Sequence, residues 1–352
     1  MTIVRHATST FVGIAISGIL SAQIHGGAGR GDASSGSQLF PTMASAYRGG
    51  LGRGDAFGRC DLEPGNSIAY QGGNGRGDGW AGQVQALVVS SVYRGGQGRG
   101  DVMATFNLPV DALIWVRAYL EGPFDGFAGM HDSLRVQQLI PLTEPYSGLG
   151  FPGGGESIDP SVLGELGNGV VVDWVHVQLR SADDPSTVTF ARNGLVLTNG
   201  FIVDTDGVSP LQFSDLIPGS YHVAVLHRNH MGCMTLNGVP VTSTPNYVDF
   251  TLPYTLTHGM EARKSMGIAQ VLWAGDVNQD GALRYTGQNN DRDPILFSIG
   301  GSVPTNTTIG YLVEDINLDG VVKYSGQNND RDPILQNIGG SVPTNVRQGQ
   351  LP

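Results

Sequence analysis

Val170–Arg180 reads VVVDWVHVQLR, a run of β-branched and aromatic residues interrupted by polar ones at short intervals. A period near two, without the i, i+3, i+4 spacing of a helix, predicts a strand with one face in a core. Gly194–Asp204 and Ser220–His227 carry the same signature. Turn signals separate the three at Asp183-Asp184-Pro185, Asp206-Gly207 and Pro218-Gly219. Strands at this spacing predict a two-sheet β-sandwich over residues 107–270 and a chain that is mainly β. Trp115, Trp174 and Tyr119 are of a type that can stack on sugars, but on alternating strands they are read as core.

Within this centre, Phe213–His230 (FSDLIPGSYHVAVLHRNH) resembles the PG-x-Y-x-V strand of transthyretin-like, carboxypeptidase-regulatory-like sandwiches, and the resemblance implies that fold. His227 and His230, with Cys233 near, invite a zinc reading. On a strand, however, residues i and i+3 point to opposite faces, so structural histidines are expected. There is no G-x-S-x-G, H-E-x-x-H or phosphate loop. Glu121, Asp125, Asp132 and Glu144 could supply a carboxylate pair, but glycoside hydrolysis needs a separation that spacing in sequence does not give. The chain is read as not an enzyme.

C-terminal to the strands, GQNNDRDPIL stands at Gly287–Leu296 and again at Gly326–Leu335. Each copy follows a D-x-N-x-D-G run: Asp276, Asn278, Asp280, Gly281, and 39 positions later Asp315, Asn317, Asp319, Gly320. Ca²⁺ gathers about 6–8 oxygen ligands, and side-chain oxygens at loop positions 1, 3 and 5 with Gly at 6 supply them around a sharp reversal. Asp, Asn and Gly also fill ordinary turns. Two copies in register with identical downstream sequence exceed what a turn requires, so two Ca²⁺ sites are expected. The carbonyls of Ala282 and Val321 take position 7. Position 12 falls on Gly287 and Gly326, which lack the carboxylate an EF-hand places there. The shell is therefore expected to close after an insertion, through Asp291 and Asp330, with Asn290 and Asn329 as alternatives. Asp293 and Asp332 are further candidates with a competing role as helix caps, since each precedes Pro at the head of a short helix ending in Gly-Gly. Arg292 and Arg331 are expected to brace the loops by ion pairing. The paired units (residues 271–352) resemble a dockerin-type calcium module with an insertion in each loop, which implies calcium binding and docking to a partner protein.

At the other end, Arg5 and His6, the apolar stretch Phe11–Leu20, and Ser21-Ala22 before Gln23 predict a signal peptide over residues 1–22. Its apolar core is too short to span a bilayer, so no membrane insertion is expected after cleavage. The formal charge of −11, with Lys264 and Lys323 the only lysines, argues against nucleic acid and anionic membranes as partners. G-G-x-G-R-G-D occurs at Gly26–Asp32, Gly49–Asp55, Gly72–Asp78 and Gly95–Asp101, a period of 23, and Tyr47, Tyr70 and Tyr93 lead three of the four. Such periodicity predicts a β-solenoid-like stack over residues 23–106. The motif reads foremost as a structural turn. A metal turn similar to the RTX repeat and an Arg-Gly-Asp adhesion site compete with that reading. The first turn lies just beyond the expected cleavage site and leaves little chain for a cap, so self-association through the open end is expected. Cys60 and Cys233 could pair, but one pair is not a disulfide framework.

Several longer motifs, LEGPFDGFAGMHDSLR (Leu120–Arg135), IPLTEPY (Ile140–Tyr146), VVDWVHVQLR, HRNHMG (His227–Gly232) and NNDRDPIL, make the chain similar to a family of secreted or surface proteins of Bacteroidota. The resemblance implies export and calcium-loop ends, with no particular enzymatic activity. The expected function is an exported, calcium-binding structural or adhesive surface protein, partnered by itself or by another surface protein. The alternative is a module that binds polysaccharide or protein and docks through its calcium repeats.

Overall fold

The computed structural model describes residues 109–167 and 169–352 and, ahead of them, the backbone of eight strands between Ser21 and Asn107. The chain is mainly β, with 35% strand against 9% helix. The expected signal sequence through residue 20, the four Gly-rich turns and the Cys60 side chain lie outside the described residues.

The chain divides into two compact units, Met1–Pro109 and Val110–Pro352. In the first, Ser21–His25, Ala44–Arg48, Ser67–Gln71 and Ser90–Arg94 pair in parallel, so that Ala46 meets Ala69 and Ala69 meets Val92. Ala33–Leu39, Ala56–Leu62, Gly79–Val84 and Val102–Asn107 form a second parallel sheet in the same way. Each 23-residue period thus gives one strand to each sheet, and the register of both ladders is the sequence period. Ser21–His25 spans the expected cleavage point after Ala22.

In the second unit nine strands join one hydrogen-bonded sheet. Its order is Leu211–Leu216, Val110–Arg117, Phe201–Val203, Val188–Leu197, Val171–Ser181, Gly219–Leu226 and Cys233–Met234. Val239–Val241 also pairs with Gly219–Leu226, and Asn246–Asp249 runs parallel to Val110–Arg117. The strand Val171–Ser181 is buried on both faces, not one. Val175, Val177 and Leu179 enter the apolar core. Trp174, His176, Gln178 and Arg180 point the other way. They are covered in part by the segment after Ile140: Tyr146 donates to the Trp174 carbonyl at 2.8 Å, and the Trp174 indole donates to the Pro141 carbonyl at 2.9 Å. Most polar groups there find partners, such as Asn193 Oδ1 2.7 Å from His176 Nδ1 and Gln178 Oε1 2.8 Å from Arg180 Nε, while His176 Nε2 is left without one.

A three-stranded sheet follows, ordered Tyr119–Leu120, Ala269–Leu272, Lys264–Met266. Beyond it the tandem repeats exchange strands. Thr307–Ile309, after the first short helix (Arg292–Ser298), pairs with Val321–Lys323 of the second loop. Val346–Gln348, after the second helix (Arg331–Asn337), returns to Ala282–Arg284 of the first. The registers correspond at the 39-residue period: Thr307 opposes Lys323, and Val346 opposes Arg284. Thr286 donating to the Pro343 carbonyl at 2.9 Å and Ser325 donating to the Pro304 carbonyl at 2.7 Å repeat the exchange. Neither repeat is complete without the other.

Candidate functional site

Each loop is wound by its own side chains. In the second loop Asp315 accepts the Asp319 and Gly320 N–H groups at 3.1 and 2.8 Å, Asn317 Oδ1 accepts the Asp319 N–H at 2.8 Å, and Asp319 Oδ1 accepts the Val321 N–H at 2.9 Å. The first loop matches it at Asn278 (from the Asp280 N–H, 2.9 Å) and Asp280 (from the Ala282 N–H, 3.0 Å). These successive turns direct side-chain oxygens of residues 1, 3 and 5 inward. Gly281 and Gly320 adopt φ of 75° and 85°, the left-handed reversal that position 6 demands. Asp276 Oδ1 is buried and has no hydrogen-bond partner within normal geometry, although the Gln279, Asp280 and Gly281 N–H groups face its carboxylate.

Asp291 and Asp330, expected to close the shell, are fully buried and close the loop mechanically. Asp291 accepts N–H groups from Val277 (3.0 Å), Asn278 (3.3 Å) and Arg284 (2.8 Å); Asp330 does the same with Ile316, Asn317 and Lys323. Asp293 and Asp332 turn away from the loops. Each helix begins at the preceding Arg, so Asp291 and Asp330 hold the N-cap position but make no side-chain cap bond, and the capping hydrogen bond comes from Asn290 and Asn329. Asn290 Oδ1 accepts the Asp293 N–H at 2.9 Å while Asp293 Oδ2 accepts from Asn290 Nδ2 at 2.8 Å, a reciprocal cap repeated at Asn329 and Asp332. Arg292 and Arg331 pair with Asp293 and Asp332 and lie over Tyr285 and Tyr324.

The electrostatics call for positive charge. Burial raises Asp276 to about 6, with the Asp280 charge adding to it, and raises Asp291 to about 7. Asp315 rises to about 6, mainly through burial, and Asp330 to about 8, with Asp315 adding to the burial cost. Sequence reasoning missed the tethered cations at loop position 9: Arg284 pairs with Asp280, and Lys323 Nζ lies 3.1 Å from Asp319. They reach only the outer carboxylates. Among the described residues, no three His, Cys, Asp or Glu side chains form a metal-holding group. Any site here draws on amide and main-chain oxygens as well, the hard oxygen set that suits Ca²⁺.

The second loop is set into the β unit through HRNH. The strand Gly219–Leu226 ends before His227, and the chain bends, so His227 and His230 do not face opposite ways: their Nδ1 atoms lie 3.0 Å apart. Gly122 N–H donates to His230 Nε2, which places the His230 proton on Nδ1, facing Asn229 Oδ1 at 2.8 Å and His227 Nδ1. His227 Nε2–H then donates to Asp173 at 3.1 Å. Every ring nitrogen is used, and burial holds both rings below the usual histidine range, so the pair is structural. Burial opposes the Asp173 charge, but Arg228 at 3.0 Å, His227 and the Tyr311 hydroxyl at 2.5 Å hold its carboxyl at about 2. Arg228 also donates to the Leu312 carbonyl, and Asn229 donates to the carbonyls of Val313 and Asp315. Residues 110–352, which the sequence divides near 270, are one compact unit for this reason.

Beside the second loop lies a polar cleft of about 490 Å³ whose lining includes His131, Asn317, Asp319, Asn328, Asp332 and Gln336. Cys233 is buried, with no disulfide partner among the described residues, and burial raises its thiol to about 12. No family model, curated protein or solved structure matches this chain.

Proposed function

We propose that the chain is an exported structural or adhesive protein whose C-terminal loops each hold one Ca²⁺. Asp276, Asn278, Asp280 and the Ala282 carbonyl would serve the first site, and Asp315, Asn317, Asp319 and the Val321 carbonyl the second. Asp291 and Asp330 brace both loops from behind. The observation that carries this reading is the partnerless, buried Asp276 Oδ1 inside a loop wound by successive carboxylate and amide turns. A divalent cation would offset the charge that burial makes costly there. Calorimetry should report two sites, with Asp276→Ala and Asp315→Ala each removing one. Calcium at about 100–1,000 times its Kd should add about 3–4 kcal/mol to the stability of residues 110–352. A melting temperature and protease resistance unmoved by EDTA would defeat the proposal.

The finer architecture belongs to the same reading. Parallel ladders at the 23-residue period support a solenoid-like N-terminal stack, and the nine-stranded sheet, with core side chains on both faces of its central strand, fits a sandwich. Among the described residues Ser21–His25 ends its sheet's strand order, an edge able to template pairing with another copy. Light scattering that finds the mature protein monomeric at micromolar concentration, unchanged by deletion of residues 23–46, would sink self-association. The polar cleft supports the second reading, a polysaccharide ligand: amide and carboxylate groups are what sugar hydroxyls hydrogen-bond. Glycan-array binding abolished by Asn328→Ala together with Gln336→Ala would favour it.

A further inference from the structure

The strand exchange sets Asn337, the last residue of the second helix, against two residues of the three-stranded sheet. Lys264 opens the strand Lys264–Met266, and Glu121 directly follows Tyr119–Leu120. Lys264 Nζ lies 2.5 Å from Glu121 Oε1 and 2.8 Å from Asn337 Oδ1, while Asn337 Nδ2 lies 2.7 Å from Glu121 Oε2. A primary amine, a primary carboxamide and a carboxylate touching both nitrogens close a triangle. Asn337 is 1% exposed, and the Glu121 side chain 10%. Further bonds fix the parts: Asn337 Nδ2 donates to the Ala274 carbonyl at 2.8 Å, and the Ala274 N–H donates to Glu121 Oε2 at 2.9 Å. The Trp273 ring lies 5.4 Å from the lysine nitrogen.

We propose that Lys264 and Asn337 condense into an intramolecular isopeptide bond, with Glu121 carrying the proton. Glu121 Oε1 takes a proton from Lys264 Nζ, leaving a neutral amine. The amine lone pair attacks Asn337 Cγ, the Nζ–Cγ bond forms, and the carbonyl electrons move onto Oδ1. Glu121 Oε2 then gives the proton to Nδ2, the Cγ–Nδ2 bond breaks as the carbonyl re-forms, and ammonia departs. The adduct's second N–H proton leaves through the same carboxylate. One amine and one carboxamide become one secondary amide and one ammonia, with no oxidant, nucleotide or metal. Amide aminolysis is slow in water, where the partners meet only in passing. Here the fold holds them in contact, with one carboxylate placed as base to the nucleophile and acid to the leaving group.

Two features of the sequence separate this from an ordinary buried ion pair. Among the described residues acids pair mostly with arginine, and Lys264 is one of only two lysines in the chain. Arginine would serve a salt bridge as well or better, but its guanidinium stays protonated and cannot act as the nucleophile. The repeats also diverge at the decisive place. After the shared RDPIL, the first helix continues Phe297-Ser298 and the second Gln336-Asn337. Ser298 bonds back to the Ile295 carbonyl of its own helix, whereas Asn337 meets Lys264. The other lysine, Lys323, faces a carboxylate and no carboxamide.

The test is the mass of the folded, full-length wild-type protein after denaturation and reduction. A bond predicts a loss of about 17 Da, one ammonia, and a branched peptide joining Lys264 to residue 337. Lys264→Arg, which keeps the ion pair, and Glu121→Gln, which keeps the shape, should each show their full sequence mass and linear peptides. Wild-type protein at full sequence mass, with Lys264 and Asn337 in separate linear peptides, overturns the proposal whether or not the variants fold. A Glu121→Gln protein that still carries the bond overturns the role given to Glu121.

Discussion

Ending the chain at Gly340 should damage the first loop, about 60 residues upstream, and spare the second, to which the deleted residues belong by sequence. The deletion removes Val346–Gln348, the partner of Ala282–Arg284, together with the Gly349 N–H that donates to the Gly281 carbonyl at 2.6 Å and the Pro343 carbonyl that accepts from Thr286. Taking about four such bonds at about 1 kcal/mol each, the first loop loses about 4 kcal/mol of local stability. At 1.4 kcal/mol per decade, that is about a thousandfold fall in amide protection at Ala282–Arg284. Val321–Lys323 keeps its own partner, Thr307–Ile309, and should change less than about threefold. Hydrogen exchange followed by mass spectrometry reads both segments in one sample, with EDTA present so that no metal contributes. Equal losses in both loops, or a loss confined to residues 321–323, would refute the strand exchange.

Three other outcomes follow from the same geometry. Asp173→Asn should leave Arg228 buried without its counter-charge and cost about 3–5 kcal/mol, a fall of about 10 °C or more in melting temperature for a unit of this size, measurable by calorimetry. Gly122→Ala would place a methyl 2.1 Å from the Ile316 carbonyl oxygen, so the second loop must back away; overpacking of about 1–3 kcal/mol should weaken its Ca²⁺ affinity about tenfold and leave the first site alone, as titration calorimetry would show. Without calcium, stability should be highest at about pH 4 and fall steadily above it. The raised carboxyls Asp276, Asp291, Asp315 and Asp330 contribute fully below their unfolded value of 3.8, and that contribution is lost as pH climbs through about 6 to 8. Asp173 runs the opposite way, its contribution present above 3.8 and lost toward about 2. Thermal melts across pH in EDTA check both limbs.

The repeats were legible because periodicity is a property of the chain itself: the 23-residue step reappears as parallel register, and the 39-residue step as matched loops and helices. The strand Val171–Ser181 was legible for its β-branched content, but its burial on both faces was not, since the cover comes from a segment some 30 residues earlier that has almost no regular structure. The histidines were misjudged for a local reason. Extrapolating a strand through HRNH assumes a straight backbone, and Asp173 and the Asn229 contacts reward a bend instead. Asp293 looked like a cap because Pro follows it; Asn290 wins the place because its amide can both accept from and donate to residue 293. Partners far apart in sequence, such as Glu121 with Lys264 and Asn337, leave no trace in spacing at all.

Near-identical loops therefore stand in unequal surroundings, and the inequality has energetic consequences. The second loop is held from outside: Asn229 bonds the Asp315 carbonyl, Gln137 donates to the Asp319 carbonyl at 2.6 Å, and Gly122 packs against Ile316. Its oxygens are fixed before any ion arrives, so an ion there pays less ordering entropy. The first loop has the Gln279 bond to the Arg228 carbonyl and the returning strand Val346–Gln348, whose chain continues to Pro352. A bond between Lys264 and Asn337 would anchor the helix from which that returning strand departs, restricting the tail that completes the first loop. On the two proposals together, calcium affinity at the first loop would be tied to chemistry at a site outside both loops, while the second would answer to the buried Asp173–Arg228 pair. Two copies of one decapeptide become two differently supported loops because residues that differ between the repeats, Gln279 against Leu318 and Ser298 against Asn337, meet different neighbours.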